Sequence, residues 1–236
     1  MIAIRSTRTA SARRLIGAGS LVLCAGCFKL ARPTPPLEEY VLGARAHVAT
    51  IASAGAMGGL TIGLRRLDLA PYLATPAIVV RQGSRVISSN FRRWAEEPSA
   101  GIMRAVASSL LAAPSIQAVD VAPWSVRTRH DYLIQLHISQ LEGVMSDDVS
   151  ATDGEVRVMA SWEIVRPATG ALIARGETDR TATGWKVGDY ADLVTRVHEG
   201  LAGLAGDMVA CLARLDSVSP APADTTATPV VMCGAR

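Results

Sequence analysis

Nowhere in its 236 residues does the chain hold an apolar run near the ~18 residues that cross a bilayer as a helix, which excludes a polytopic membrane protein built of helices. It also lacks the glycine and proline excess of a wholly disordered chain: 20 Gly and 12 Pro stand beside 49% apolar residues, enough to bury a core. A basic footprint for nucleic acid is missing too. The formal net charge is +3, but Arg5, Arg8, Arg13 and Arg14 fall in residues 1–26, where there is no acid. Without those four of the 24 basic residues, 20 face 21 acidic ones, and the body is nearly neutral.

The common signatures of catalysis are absent as well. There is no G-x-S-x-G elbow, P-loop, G-x-G-x-x-G fingerprint or H-E-x-x-H helix. His47, His130, His137 and His198 are scattered, with no second His or Cys at metal-ligand spacing, so no metal or cofactor is expected. Asp147 and Asp148 are adjacent near a turn, where their side chains diverge; they read as solvated loop charges rather than an acid–base pair. These absences favour a binding or bridging module over an enzyme.

What is present begins with an export signal. Arg13-Arg14 closes a positive n-region, Leu15–Leu23 is a short apolar h-region, and Cys24-Ala25-Gly26 precedes Cys27. Gly17 interrupts the apolar stretch that should follow a twin-arginine pair, so ordinary export fits better. Ala25-Gly26-Cys27 resembles the bacterial lipoprotein signal, Leu-Ala-Gly-Cys, with Cys24 where Leu is usual. That resemblance implies cleavage after Gly26 and diacylation of Cys27. Cys24 and Cys27 also have C-x-x-C spacing, but they end an apolar run instead of opening a helix after a strand, which argues against a redox site. Cys211 and Cys233 are left to pair in an oxidising compartment or to remain thiols, Cys211 lying among apolar helix positions.

Residues 27–37 form a proline-stiffened tether, with Pro33, Pro35 and Pro36. A single domain is expected over 38–215. Tyr40-Val41-Leu42 suits a first strand, and 43–59 has no clear period. Leu60, Ile62 and Leu64 alternate out of phase with Leu67 and Leu69, which predicts a strand with a bulge near Arg65-Arg66. Ala77–Val80 and Arg85–Ile87 flank a Gln82-Gly83-Ser84 turn.

Pro98, preceded by Glu96 and Glu97, opens a helix whose stripe is Ile102, Met103, Val106, Leu110 and Leu111. Tyr132, Ile134, Leu136 and Ile138, then Val156, Val158, Ala160, Trp162 and Ile164, alternate with polar residues as half-exposed antiparallel strands do. A hairpin turn at Pro167–Gly170 leads to a third strand at about 171–181. Asp189 caps a last helix with stripe Leu193, Val197, Leu201, Leu204, Met208 and Leu212. Gly200, Gly203 and Gly206 lie beside that stripe, either as tolerated glycines or as a flank for close packing of another backbone, a candidate oligomer or partner interface. Residues 216–236, rich in Pro, Ala and Thr, read as a disordered tail. The fold class is thus α/β: a mixed, largely antiparallel sheet packed by two principal helices, between an N-terminal tether and a C-terminal tail.

The run Leu69-Ala70-Pro71-Tyr72-Leu73-Ala74-Thr75-Pro76-Ala77-Ile78-Val79-Val80-Arg81, the Gly83 turn and Phe91-Arg92-Arg93-Trp94-Ala95-Glu96 resemble the ABC-type transport auxiliary lipoproteins of the paraquat-inducible protein C family. Ala74-Thr75 replace that family's usual Asp-Arg, and Glu97 intervenes before Pro98. The resemblance implies a non-catalytic periplasmic lipoprotein, anchored by its lipid in the outer membrane since Phe28 and not Asp follows Cys27. Its implied partners are an MCE-domain protein and an ABC-type or integral-membrane component that move lipids between membranes, and it implies a homo-oligomer. An exported lipid-acting hydrolase, with Ser88, Ser89 or another serine as nucleophile, is the competing reading.

Overall fold

The computed structural model describes residues 34–43, 59–125, 127–148, 150–217 and 230–234. The chain divides between Pro36 and Leu37. Of the unit Met1–Pro36 only Thr34–Pro36 are described, so Cys24, Cys27 and the signal lie outside the described residues, as does His47 in the body. The following concerns the unit Leu37–Arg236.

Its strands are β1 (Glu38–Tyr40), β2 (Leu60–Leu64), β3 (Asp68–Leu69), β4 (Ala77–Gln82), β5 (Arg85–Trp94), β6 (Ile116–Val121), β7 (Tyr132–Met145), β8 (Asp153–Arg166), β9 (Ala171–Lys186) and β10 (Val231–Gly234). The helices are α1 (Pro98–Leu111) and α2 (Tyr190–Ser217). Among the described residues the strands join in one mixed sheet, ordered β1-β5-β4-β7-β8-β9-β10. The long ladders, β7–β8 and β8–β9, are antiparallel, and the parallel pairings are short. No described helix is long and apolar enough to cross a membrane.

β7 is the hub. Its first residues pair with β2, its middle with β3 and its end with β4, all parallel and all along one edge. Between Leu64↔Ile134 and Asp68↔His137 one strand advances four residues while the other advances three, so the out-of-phase apolar sets do mark an inserted residue. A second shift falls between Ile138 and Gln140. Before it, Ile134, Leu136 and Ile138 point into the core; after it, Leu141 and Gly143 do, leaving Gln140, Glu142 and Val144 on the opposite face.

Local chemistry accounts for the other elements. Gly83, at φ +55°, turns β4 into β5, as a two-residue turn with Gly in first place requires. Glu97 caps α1 by accepting from the Ser99 and Ala100 amides at 3.1 and 2.9 Å, and Pro98 takes the first helical position. Asp189 accepts from the Asp192 amide at 3.0 Å and starts α2. Both helices lie on one face of the sheet, α1 over β6 and α2 over β8 and β9. There Ile102, Val106 and Leu110 of α1 and Val197, Leu201, Leu204 and Met208 of α2 meet Ile62, Leu64, Ile134, Leu136 and Ile164, all wholly buried.

Several expectations need correction. Leu111 is not part of the α1 stripe: it is 40% exposed in the final turn. β5 runs to Trp94 and β9 to Lys186, beyond the limits that alternation suggested, and β6 has no counterpart in the sequence reading. The stretch read as a tail holds an ordered strand. β10 adds in parallel to the outer edge of β9, and Cys233 forms a disulfide with Cys211 of α2, 5.7 Å apart at Cα. α2 itself extends to Ser217, two residues past the expected domain end. The rest of 218–236 lies outside the described residues except Val230.

β10 approaches closely because Gly176 sits opposite both Trp162 and Cys233. A Cβ there would lie 2.1 Å from the indole and 2.4 Å from the Cys233 carbonyl.

Candidate functional site

The hydrolase reading needs a serine, a histidine and a carboxylate in hydrogen-bond reach. Ser88 is exposed on β5, and Ser89 Oγ accepts from the Arg92 amide at 3.0 Å. His130 and His137 each meet a carboxylate, at 2.9 Å from Asp120 and 2.9 Å from Asp68. Among the described residues no serine hydrogen-bonds to a histidine, and no group of three or more His, Cys, Asp or Glu could hold a metal ion. His130 has a packing role. Its loop crosses over β2, its side chain is 3% exposed above Gly63, and its ring meets Trp124 edge-on at 4.9 Å between centroids. His198 of α2 is half-buried, and its buried Nδ1 has no hydrogen-bond partner.

The three α2 glycines occupy different surroundings. A Cβ on Gly200 would stand 2.5 Å from Val158 Cγ2, so this glycine lets α2 close onto β8 of its own chain. At Gly203 the neighbour is the Arg180 side chain at 3.2 Å, and at Gly206 nothing lies within 4 Å. Arg180 and Thr178 reach Asp207 of α2 at 2.5 and 2.9 Å, fastening the helix to β9.

β1 is held by charge. Glu38 faces Arg92 at 3.4 Å and Glu39 faces Arg93 at 2.7 Å, while the Tyr40 hydroxyl donates to Glu38 at 2.7 Å. The Tyr40 bond and Arg92 hold the Glu38 carboxyl below the ordinary carboxylate range. Burial and the same bond push the Tyr40 hydroxyl up to about 12. Arg104 does for Glu96 what Arg92 does for Glu38.

The most unusual group is Glu142, wholly buried on the sheet face away from the helices. Arg81 Nη2 lies 2.5 Å from its Oε1, a charge contact without hydrogen-bond alignment, so neither carboxylate oxygen has a hydrogen-bond partner. Arg81 also donates to the Tyr72 hydroxyl at 2.9 Å, which in turn donates to the Ser139 carbonyl at 3.0 Å. Burial by itself would lower the Arg81 pKa, but the Glu142 charge and Tyr72 offset it and hold it raised. Burial first, then the Glu142 charge, pushes the Tyr72 hydroxyl up to about 12, so at neutral pH it keeps its proton.

Cross-strand register arranges this network in two rows. Arg81, Val144, Glu155 and Thr183 form one, and Glu142, Arg157 and Thr181 the next. Of these, Arg81, Val144, Glu155, Thr183 and Arg157 line a cleft of about 650 Å³ between the β4–β5 turn, the end of β7 and the end of β9. Sequence reasoning singled out neither Glu142 nor Arg157. The only signal was the loss of phase after Ser139, which moves the apolar positions from even to odd numbers and turns Glu142 outward.

The fold has solved counterparts. Protein XCC0632 from Xanthomonas campestris superimposes with a TM-score of 0.58 at 13% identity, over 79% of this chain and 97% of that one. A second crystal structure, of an uncharacterized protein, gives 0.55 at 14% identity over 75% and 99%. At such identities the likeness is one of fold. No curated protein matches the sequence significantly. The family model for the ABC-type transport auxiliary lipoprotein component matches residues 40–209, from the end of β1 into α2, and so takes in β2 to β9, α1 and most of α2. The chain therefore belongs to the ABC-type transport auxiliary lipoprotein component family.

Proposed function

We propose that this protein is an outer-membrane-anchored, non-catalytic partner in an MCE- and ABC-type system that moves lipids between membranes. The observation that carries the reading is the family match across the folded body, together with a lipoprotein-like signal ending at Cys27. Two acyl chains on Cys27 would make attachment lasting, since each buried methylene contributes roughly 0.8 kcal/mol. The body then works at a membrane surface by association, as a homo-oligomer or with the MCE-domain protein. The two histidine–carboxylate pairs lack a hydrogen-bonded serine among the described residues, which favours this reading over the hydrolase.

The test combines fractionation and capture. Wild type is expected in outer-membrane fractions with an acylated N-terminal Cys27 peptide by mass spectrometry, and Cys27→Ser in the soluble periplasm. Crosslinked wild type is expected to recover an MCE-domain protein. Soluble wild type, with no such partner and with turnover of a lipid ester, would overturn the proposal in favour of the hydrolase.

A further inference from the structure

We propose that the cleft between the β4–β5 turn and the ends of β7 and β9 binds a phosphate ester bearing a primary amine, the phosphoethanolamine group. The inference rests on the lipid-transport reading and deepens it by naming a headgroup chemistry. The argument starts from unsatisfied donors. Arg81 and Arg157 both line the cleft, and their side-chain hydrogen bonds leave from Nη2 alone, to Tyr72 and to Glu155 at 2.9 and 2.6 Å. In each the Nε atom is buried out of the cleft's reach, so the donors left for an occupant are those of Nη1, which makes no hydrogen bond of its own. Register places Glu142, wholly buried, on β7 between Arg81 of β4 and Arg157 of β8; its carboxylate lies against the Arg81 guanidinium, while Glu155 holds that of Arg157. Two partly exposed arginines, each positioned by a carboxylate and with Nη1 donors to spare, form a seat for a phosphate.

A bare phosphate does not fit the rest of the wall. Asp147, Asp153 and Glu155 line the same cleft, and with Glu142 beneath it the acids outnumber the two arginines. Asp153 is neutralised by Lys186 and Glu155 by Arg157. Asp147, beside Gly83 in the adjoining turn, has no ion-pair partner among the described residues. An occupant with its own cation removes the conflict: phosphate toward Arg81 and Arg157, ammonium toward Asp147. Gln140 and Thr183 supply neutral hydrogen-bonding groups, and Val144 and Met145 give an apolar wall for the ester carbons. Soluble phosphoethanolamine esters and membrane phosphatidylethanolamine share this chemistry.

Full-length Cys27→Ser protein is titrated, by NMR or calorimetry, with glycerophosphoethanolamine, inorganic phosphate and ethanolamine separately. Saturable binding of the ester is expected, with either half alone at least about tenfold weaker. Arg157→Gln and Asp147→Asn should each weaken it by about tenfold, while Glu163→Gln, on the same face outside the cleft, should not. Asp147 is exposed, so its variant keeps the fold, and thermal melts check Arg157→Gln. Vesicles of phosphatidylethanolamine compared with phosphatidylcholine separate the sources: preference for the former supports membrane lipid, and binding of the soluble ester alone supports a soluble ligand. Equal affinity for inorganic phosphate and the ester, or no saturation by the ester below about 10 mM, would overturn the proposal. Capture of an MCE-domain protein without ester binding would sink this inference and leave the function standing, and the converse result would do the reverse.

Discussion

The disulfide between Cys211 and Cys233 is a direct place to perturb the fold, because it ties the last ordered strand to the last helix. The two half-cystines are 22 residues apart. In the chain-entropy relation, closing a loop of that length restricts the unfolded chain by about 3.4 kcal/mol at 25 °C. Cys211 is 1% exposed, so the sulfur packing lost in Cys211→Ala/Cys233→Ala adds to this figure and does not offset it. For a chain of this length each kcal/mol moves the melting midpoint by roughly 2–4 °C, and the double variant should melt about 7–14 °C below wild type. Urea melts of wild type, oxidised and reduced, and of the double variant measure the term. Amide exchange at Val231–Gly234 should accelerate in both altered forms, since β10 then holds β9 by its parallel pairing alone. A loss below about 1 kcal/mol with unchanged exchange would refute the reasoning and show that pairing to β9, not the crosslink, fixes the strand.

Three further outcomes are expected. Gly200→Leu should destabilise the monomer by at least 1–3 kcal/mol in denaturant melts by driving α2 off Val158, whereas Gly206→Leu should leave the melts unchanged; reduced self-association or partner capture by the second variant, on sedimentation, would assign that flank to an interface, and equal melts for the two would refute the packing argument. Arg81→Met strands the buried Glu142 carboxylate and should cost about 3–5 kcal/mol, most of it recovered in Arg81→Met/Glu142→Gln; a loss under about 1 kcal/mol would refute the pairing of Arg81 with Glu142. Folding lowers the carboxyl pKa values of Glu38, Glu96 and Glu97 from 4.5, so their contribution is complete above that value and is lost as pH falls through the lowered ones; melting midpoints should drop as the solution is acidified below about pH 4.5, less steeply in Glu38→Gln/Glu96→Gln, and identical slopes would refute the assignment.

The parts of the fold that could be read from the sequence are those whose partners are near in the chain and whose periodicity is long. β8 and α2 carry about seven pleats or turns of one pattern each, β7 keeps one as far as Ile138, β9 follows β8 by a short turn, and every apolar position named for the α2 stripe is buried. β6 and β10 escaped because their pairings are parallel, short and to segments far away, so nothing in Ile116–Val121 or Val231–Gly234 alone identifies the edge each joins. Leu111 misled because helical spacing continues into a turn that the core does not cover. For the candidate site the legibility was poorer still. Arg81 belonged to the strand that carried the family resemblance, but its partner Glu142 follows a one-residue shift near Ser139 that reverses which face each later side chain occupies. The identity of the network depends on register across four strands, which no local pattern contains.

The single edge of β7 that receives β2, β3 and β4 also sets an order of events. As the chain emerges from its N-terminus, the residues of those three strands have nothing to pair with on that edge until Tyr132–Met145 follow. Before then the β4–β5 hairpin and the β2–β6 pair can form, but the edges that β2, β3 and β4 present to β7 stay open and aggregation-prone, and those contacts close only over long sequence separations. Folding is therefore expected to begin in the second half, with the β7–β8–β9 meander and α2, onto which the earlier strands are afterwards threaded. Holding chaperones that bind the chain before residue 132 appears would protect its yield without altering its final stability.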